Sequence, residues 1–413
     1  MSTTGTKPSM VSDLEGMNPT FKERIQAPIP QRELNRRWAE VRKAMKAAGI
    51  DSLIMQNDNQ FLGGYVRYFL DLPAQQAYPT TVIFPVNDDM TVIAQGGKVL
   101  PFAPPAWAVR GVKEKFGAPF WRSVCITDTV DAEEAVPVIK KRGDKKVGLV
   151  AMGCMHASFY KYLTANLPGV EFVDASDLVD QIKCVKSEDE LVYIRHAVAE
   201  QDRVLAAMPA LLRPGRYESE IRNDVIHLLA DLGSEEQLVM LSSAPPGQRA
   251  GHLYPFYQNR RVQAGDQFMM MIEPNGMGGF YGEAGRTWVL GEPPKDLLKT
   301  WEVAVAAQKH SAKLARPGVM PGDIFKANNE FLKSKGYTEE TRLYAHGQGY
   351  DLVERPVFRP NETMPLKVNM FLAIHPTAFS DTTYGYCCDN YLVTETETVR
   401  LHKTPQEILV VDC

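Results

Sequence analysis

Cysteine is scarce in this chain, six in 413 residues: Cys125, Cys154, Cys184, Cys387, Cys388 and Cys413. Only two adjoin and no C-x-x-C pair occurs, so neither a disulfide framework nor a zinc knuckle is expected. No apolar run reaches the roughly 18 residues that a membrane span requires. The first thirty residues are polar and proline-punctuated, without the apolar core of a signal peptide, and a reducing, cytoplasmic setting is expected. Neither sign of charge dominates: 46 Lys and Arg against 50 Asp and Glu leave a net charge of -4. Such a balance gives nucleic acid or an anionic membrane no hold, and no such partner is expected. Short-period repeats and low-complexity segments are also missing. What is present is 44% hydrophobic and 23% charged, the make-up of an ordinary globular protein. The length exceeds what one core holds, so two domains are expected.

The chain then reads in three parts. Residues 1–29 form an N-terminal arm. Residues 30–183 alternate helices and strands, the pattern of a small α/β domain with a mixed sheet. Leu34, Trp38, Val41 and Met45 recur at helical spacing from Gln31 to Ala48, and Gly49 stops the helix. Ser52 to Met55, Thr80 to Pro85 and Met90 to Ala94 read as strands. The connector KCVKSEDE, Lys183 to Glu190, leads into a long helix, with Ser187 and Glu190 spaced as a capping box. Residues 184–413 continue with helices at Glu218 to Leu232, Pro294 to Leu314 and Pro321 to Lys335 among strands and turns. That order fits an α+β domain.

One stretch organises this second part: GDQFMMMIEPNGMGGFYGEAGRTWVLG, Gly265 to Gly291. Two extended runs flank a turn whose glycines supply the positive-φ positions of a tight reversal. With the turn centred on Gly278, Glu273 and Glu283 stand five residues to either side. Opposed residues of an antiparallel pair share a face, with Cβ atoms roughly 4.5–5.5 Å apart. Two like charges held so close require a cation, a metal, a shared proton or a hydrogen-bond partner. The bland alternative is a bulge that turns one glutamate to solvent.

This hairpin resembles that of the pita-bread superfamily of methionine aminopeptidase, prolidase, aminopeptidase P and creatinase. AHGQGYDLVERP, Ala345 to Pro356, resembles the segment that supplies the family's histidine ligand. MFLAIHP and CCDNYLVTE resemble the strands that end in its remaining acidic ligands. The resemblance covers residues 31 to 400 or so, and it implies a C-terminal pita-bread domain with a smaller N-terminal creatinase-like α/β domain. The family's peptidases carry Asp, Asp, His, Glu and Glu around two metal ions. The aligned residues here are Glu273, Glu283, His346, His375 and Cys388, of which only His346 keeps its type. The family's extra histidine falls near Tyr254, with His252 two residues before it. Its HE step falls on Val353 and Glu354.

On this footing the two-metal centre, which needs about four oxygen donors, is expected to be dismantled and no cofactor is expected. The implied activity is that of creatinase: a non-peptidase hydrolase cleaving a C–N bond in a small zwitterionic molecule. His346 or His252 would be the general base. Glu273 and Glu283 would hold the cationic end, and His375 would orient water or protonate the leaving nitrogen. A homodimer is implied, in which Arg67 and Tyr65 of the small domain reach the neighbour's cavity and grip the carboxylate. Against this stands an aromatic strand with one solvated arginine. Tyr254, Tyr257 and Glu354 would complete the substrate site. The alternatives are a remodelled one-metal hydrolase of Xaa-Pro peptidase type, a lyase of a cationic carboxylate such as dimethylsulfoniopropionate, and a binding protein without activity. In the one-metal case Zn²⁺ or Fe²⁺ would use Glu273, Glu283, His346, His375 and Cys388; otherwise Cys388 is a buried small hydrophobe.

Overall fold

The computed structural model describes residues 27–412 except 58 and 76. The expected arm lies outside the described residues up to residue 26. The chain divides into two compact units, one ending at Lys183 and the other beginning at Cys184.

The first unit opens with α1, Gln31–Ala48, whose Leu34, Trp38, Val41 and Met45 are buried. Gly49 ends it in the left-handed region at φ 65°, a conformation glycine adopts at no steric cost. Next come β1 (Ser52–Asn57), α2 (Gly64–Leu70), β2 (Thr80–Pro85), β3 (Met90–Gln95), β4 (Val99–Phe102) and β5 (Val112–Ala118). The unit ends with α3 (Val130–Arg142), β6 (Lys146–Leu149), α4 (Ala157–Asn166), β7 (Glu171–Asp174) and α5 (Ser176–Lys183). The strands make one mixed sheet in the order β4-β5-β3-β2-β1-β6-β7. Ile54, Ile83, Ile93 and Phe116 pack one face against Ala132, Ala135, Ile139, Phe159 and Leu163 of α3 and α4. The run around Arg67 is neither a strand nor solvated. It is the helix α2, and Arg67 is buried. Strands β4 and β5 and helix α5 had no counterpart in the sequence reading: the strands lack a clean apolar alternation, and α5 is only 8 residues long.

The second unit begins with α6, Glu188–Leu211. Its capping box is formed: the Ser187 hydroxyl accepts from the Glu190 amide at 3.2 Å and Glu190 Oε2 accepts from the Ser187 amide at 2.7 Å. Then come α7 (Glu218–Asp231), β8 (Val239–Ala244), β9 (Gln267–Ile272), β10 (Ala284–Val289), α8 (Lys295–Leu314) and α9 (Pro321–Ser334). The last strands are β11 (Ala345–Gly347), β12 (Glu354–Val357), β13 (Phe371–Ile374), β14 (Thr377–Phe379), β15 (Tyr384–Tyr386), β16 (Asp389–Val393), β17 (Thr398–Arg400) and β18 (Leu409–Val410).

Two larger sheets result, β18-β10-β9-β8 and β12-β11-β13-β16-β17. Alternation along β9 decides which side chain goes where. Phe268, Met270 and Ile272 pack with Met208, Ile221 and Val225 of α6 and α7, while Met269 and Met271 face Tyr386 and Cys388. Burying each such side chain contributes ~1.5–3 kcal/mol. The sheets meet where Gly285 and Cys388 exchange both backbone hydrogen bonds at 3.2 Å. Only glycine fits at 285, since a Cβ there would lie 2.3 Å from the Tyr386 ring. Beside this junction the Arg286 guanidinium donates to Asp389 Oδ1 at 2.6 Å, both side chains wholly buried. Backbone carbonyls of Gly285, Cys388, Thr404 and Pro405 take its remaining donors.

Candidate metal centre

The hairpin's register is what sets its two acids. Ala284 pairs with Ile272, and the bridge between Asn275 and Tyr281 keeps the same register nearer the turn. Glu273 and Glu283, between these pairs, stand opposite one another with no bulge, and both are buried. Their surroundings then differ. Glu273 Oε1 accepts from Gln348 Nε2 at 3.1 Å. Burial, and next the charge of Glu283, push its carboxyl well above the usual carboxylate range. Burial acts on Glu283 in the same sense, but His375, His346 and Tyr386 outweigh it and hold this carboxyl well below that range. The two carboxyls are thus pushed in opposite directions, the division expected of a pair in unlike environments.

Two histidines complete a cluster around Glu283. His346 lies on β11 and His375 directly follows β13, two strands paired antiparallel. His346 Nδ1 is 2.9 Å from the Gly347 carbonyl. A carbonyl only accepts, so Nδ1 carries the proton and Nε2 presents a lone pair to the site. That Nε2 is 3.5 Å from Glu283 Oε2 and 3.3 Å from His375 Nε2. His375 Nε2 in turn is 3.6 Å from Glu283 Oε1. These separations are long for charge-assisted hydrogen bonds. They match the ~3.4 Å edge between ligands held tetrahedrally at ~2.1 Å from an ion. Donor atoms of Glu283, His346 and His375 all lie within 4.8 Å of one another. His375 Nδ1 is buried with no hydrogen-bond partner among the described residues. Burial, chiefly, lowers the His375 pKa to about 4, leaving the imidazole neutral as a ligand must be. The donor set fits one divalent cation.

The other expected site residues fall into two groups. His252 stands at the edge of the cluster: its ring meets Tyr386 edge-on at 4.4 Å, and Tyr386 donates to Glu283 Oε1 at 2.7 Å. Burial lowers its pKa to about 3, too weak for a base at neutral pH. Cys388 is buried, but its thiol points to the Glu283 backbone carbonyl at 3.5 Å and takes no place among the clustered donors. Burial, followed by the Glu283 charge, pushes this thiol well above its usual range. Glu354 is committed elsewhere, to Lys186 Nζ at 2.8 Å and the Tyr350 amide at 2.8 Å. Tyr254 and Tyr257 sit on an exposed loop, where Tyr257 stacks on Phe256. In the first unit the Tyr65 hydroxyl donates to Asp180 Oδ1 at 2.6 Å.

Four residues of this site escaped the sequence reading: Gln348, Asn390, Tyr386 and Arg342. Asn390 Nδ2 donates to Gln348 Oε1 at 2.8 Å, and Asn390 Oδ1 accepts from the Glu283 amide at 2.8 Å. A continuous chain of amides thus links one acid to the other. The signal was a period of two: Gln348 follows His346, and Asn390 follows Cys388, by one same-face step. Arg342 donates to Glu340 and, at 3.3 Å, to the His375 carbonyl.

Residues 192–403 match the model of metallopeptidase family M24, and residues 37–185 match the creatinase/prolidase N-terminal domain. A probable dipeptidase PepE of Mycobacterium tuberculosis is 28% identical over 283 residues, 65% of this chain and 75% of that protein. An Xaa-Pro dipeptidase of Pyrococcus furiosus is 25% identical over 242 residues, 58% of this chain and 69% of that protein. Among solved structures, dipeptidase PepE from Mycobacterium ulcerans superposes with a TM-score of 0.76 at 22% identity, covering 94% of this chain and 100% of that one. The prolidase from Pyrococcus horikoshii gives 0.72 at 19%, covering 91% and 100%. The pita-bread resemblance and the two-domain α+β architecture hold.

Two expectations are corrected by these findings. The relatives are named as dipeptidases, which overturns the non-peptidase, creatinase-like part of the reading and leaves a hydrolase of the superfamily. The expectation of no cofactor fails too, against a metallopeptidase family and a buried triad of ligand type. Changing the residue types does not dismantle a cation site, because two imidazoles and one carboxylate reach a common centre as well as five carboxylate-rich ligands do. No helix among the described residues is long and apolar enough to cross a membrane.

Proposed function

The chain belongs to metallopeptidase family M24, and from that premise we propose a metal-dependent hydrolase of small peptide-like amides working at a single cation site. Glu283, His346 and His375 would hold the ion, and the observation that carries the reading is their mutual spacing of 3.3–3.6 Å in a buried cluster. Two imidazoles and a carboxylate suit Zn²⁺ or Fe²⁺. Such an ion would supply Lewis-acid polarisation of the scissile carbonyl.

The chain's own groups divide the remaining work. Glu283 stays ionised and is oriented by the Tyr386 hydroxyl on Oε1. Glu273 accepts from Gln348 on Oε1, which leaves Oε2 to pass a proton to a leaving nitrogen. Arg342, close to His375, is placed to take the anionic end of a substrate, the role the sequence had given to Arg67. Dipeptides, Xaa-Pro among them, are the substrates to try first, since the relatives' names support them.

A homodimer belongs to this reading. Its support is the exposed run of Leu253, Tyr254, Phe256 and Tyr257, an apolar patch of the kind that marks association surfaces. A reducing, cytoplasmic setting belongs to the same reading, in keeping with only six cysteines in 413 residues. The test is elemental analysis of the purified protein together with dipeptide hydrolysis before and after chelation. About one ion per chain, lost in His346→Ala along with turnover, is the expected result. Full hydrolysis by metal-free protein, or no hydrolysis with Zn²⁺, Mn²⁺, Co²⁺ or Fe²⁺ supplied, overturns it.

A further inference from the structure

The first unit holds a cavity of about 460 Å³ on the sheet face opposite α3 and α4. Its floor follows one column of cross-strand neighbours. Asn57 pairs with Thr80, Thr80 with Ala94, Ala94 with Gly117, and Gly117 with Val99. Val66 and Leu70 of α2 close it from above. Gly117 admits the rim: a Cβ there would lie 2.2 Å from the Gly97 carbonyl oxygen.

Two polar groups in this apolar space lack partners among the described residues. Lys115 is the single charged residue lining it. Its cross-strand neighbours are Val92 and Phe102, and no ion pair involving it exists among the described residues. Burial, with no acid to offset it, holds its ammonium below the usual lysine range. At the other end Asn57 Oδ1 is buried without a hydrogen-bond donor among the described residues. A partly buried cation and a buried acceptor left open in a native fold each call for an explanation. The volume is that of a small-molecule site, apolar with a few convergent polar groups. Three strand spacings of ~4.8 Å separate the Asn57 and Gly117 positions, roughly 14 Å, so an occupant would be extended.

We propose that this cavity binds a small apolar monocarboxylate, with its carboxylate on Lys115 and a hydroxyl or amide N–H at its far end on Asn57 Oδ1. The site lies wholly within the first unit and does not depend on the metal centre.

Titration calorimetry on the full chain with 3-(4-hydroxyphenyl)propionate tests it, beside the corresponding amide and 3-phenylpropionate. The acid should bind at one site, with the amide weaker by about 10-fold or more, the value of a charge-assisted hydrogen bond. The acid lacking the phenol should be weaker by a few fold. Lys115→Met should abolish the preference for acid over amide, while His346→Ala should leave the acid's affinity unchanged. Ala94→Phe, which fills the cavity and keeps the lysine, should remove binding even if Lys115→Met fails to fold. Equal affinity for acid and amide, binding that survives Ala94→Phe, loss in His346→Ala, or no saturable binding overturns the proposal.

Discussion

Two buried acids from neighbouring motifs meet opposite fates in the second unit. Glu354 ends against Lys186 at 2.8 Å and takes the amide of Tyr350 as well; its charge is answered within the chain. Glu283 is as deeply buried, yet its nearest basic groups are two imidazoles at 3.5 and 3.6 Å. A buried charge must be paired, neutralised or bound to a metal. Where the chain supplies the counter-ion at contact distance the acid is structural, and where it supplies a neutral hydroxyl donor and two imidazoles at ligand spacing the acid belongs to a site. Residue type does not separate the cases, since both are glutamates in motifs that resemble the same family.

The sharpest way to break this comparison is to remove the answering charge. Lys186→Met should cost about 3–5 kcal/mol, the penalty for stranding one member of a buried pair, measured by urea unfolding. A loss under about 1 kcal/mol would mean that Glu354 is not held as described. Next in size is the cation effect. Zn²⁺ at a hundred times its dissociation constant should add ~2.7 kcal/mol to stability, seen as a rise in Tm that chelation reverses. His375→Ala should lose that increment and Lys186→Met should keep it; the reverse pattern would assign the site to the wrong acid.

Smaller effects sharpen the same contrast. Gln348→Ala cuts the amide chain between the two acids and should lower dipeptide hydrolysis by about 10- to 100-fold, as loss of an outer partner of a metal site does, with little change in unfolding. For pH dependence Glu340 is informative. Burial raises its pKa, but the hydrogen bonds and charge of Arg342 outweigh that and hold it below its ordinary 4.5. The folded value lies under the unfolded one, so the pair stabilises the protein above pH 4.5 and the contribution is lost as pH falls through the folded value. The stability gap between wild type and Glu340→Gln should close on acidification; a gap that widens reverses the sign. Least of all should be Cys388→Ala. Its thiol faces a backbone carbonyl, and bound metal per chain should not change.

How much of this was readable beforehand differs from one residue to the next. The opposition of Glu273 and Glu283 was, because a hairpin's register follows from its turn and a period of two. So was α1, ended at Gly49 by a left-handed cap. The convergence of His375 on Glu283 was not, because it depends on β13 pairing with β11 and on the junction of two sheets at Gly285 and Cys388. The alternative of a strand with a solvated Arg67 failed for a related reason: a run of aromatic residues suits either a strand or a short buried helix, and packing chose the helix.

By itself, then, the sequence determined the family, the hairpin and the two acids that face each other across it, since local backbone preference and side-chain alternation act over a few residues. Tertiary structure alone decided that a dismantled ligand pattern still closes into a three-donor cluster, that Cys388 stands aside and that Glu354 is spent on Lys186. Those outcomes turn on distances of a few ångströms between remote segments, and the free energy of a buried charge is set by what lies within that distance.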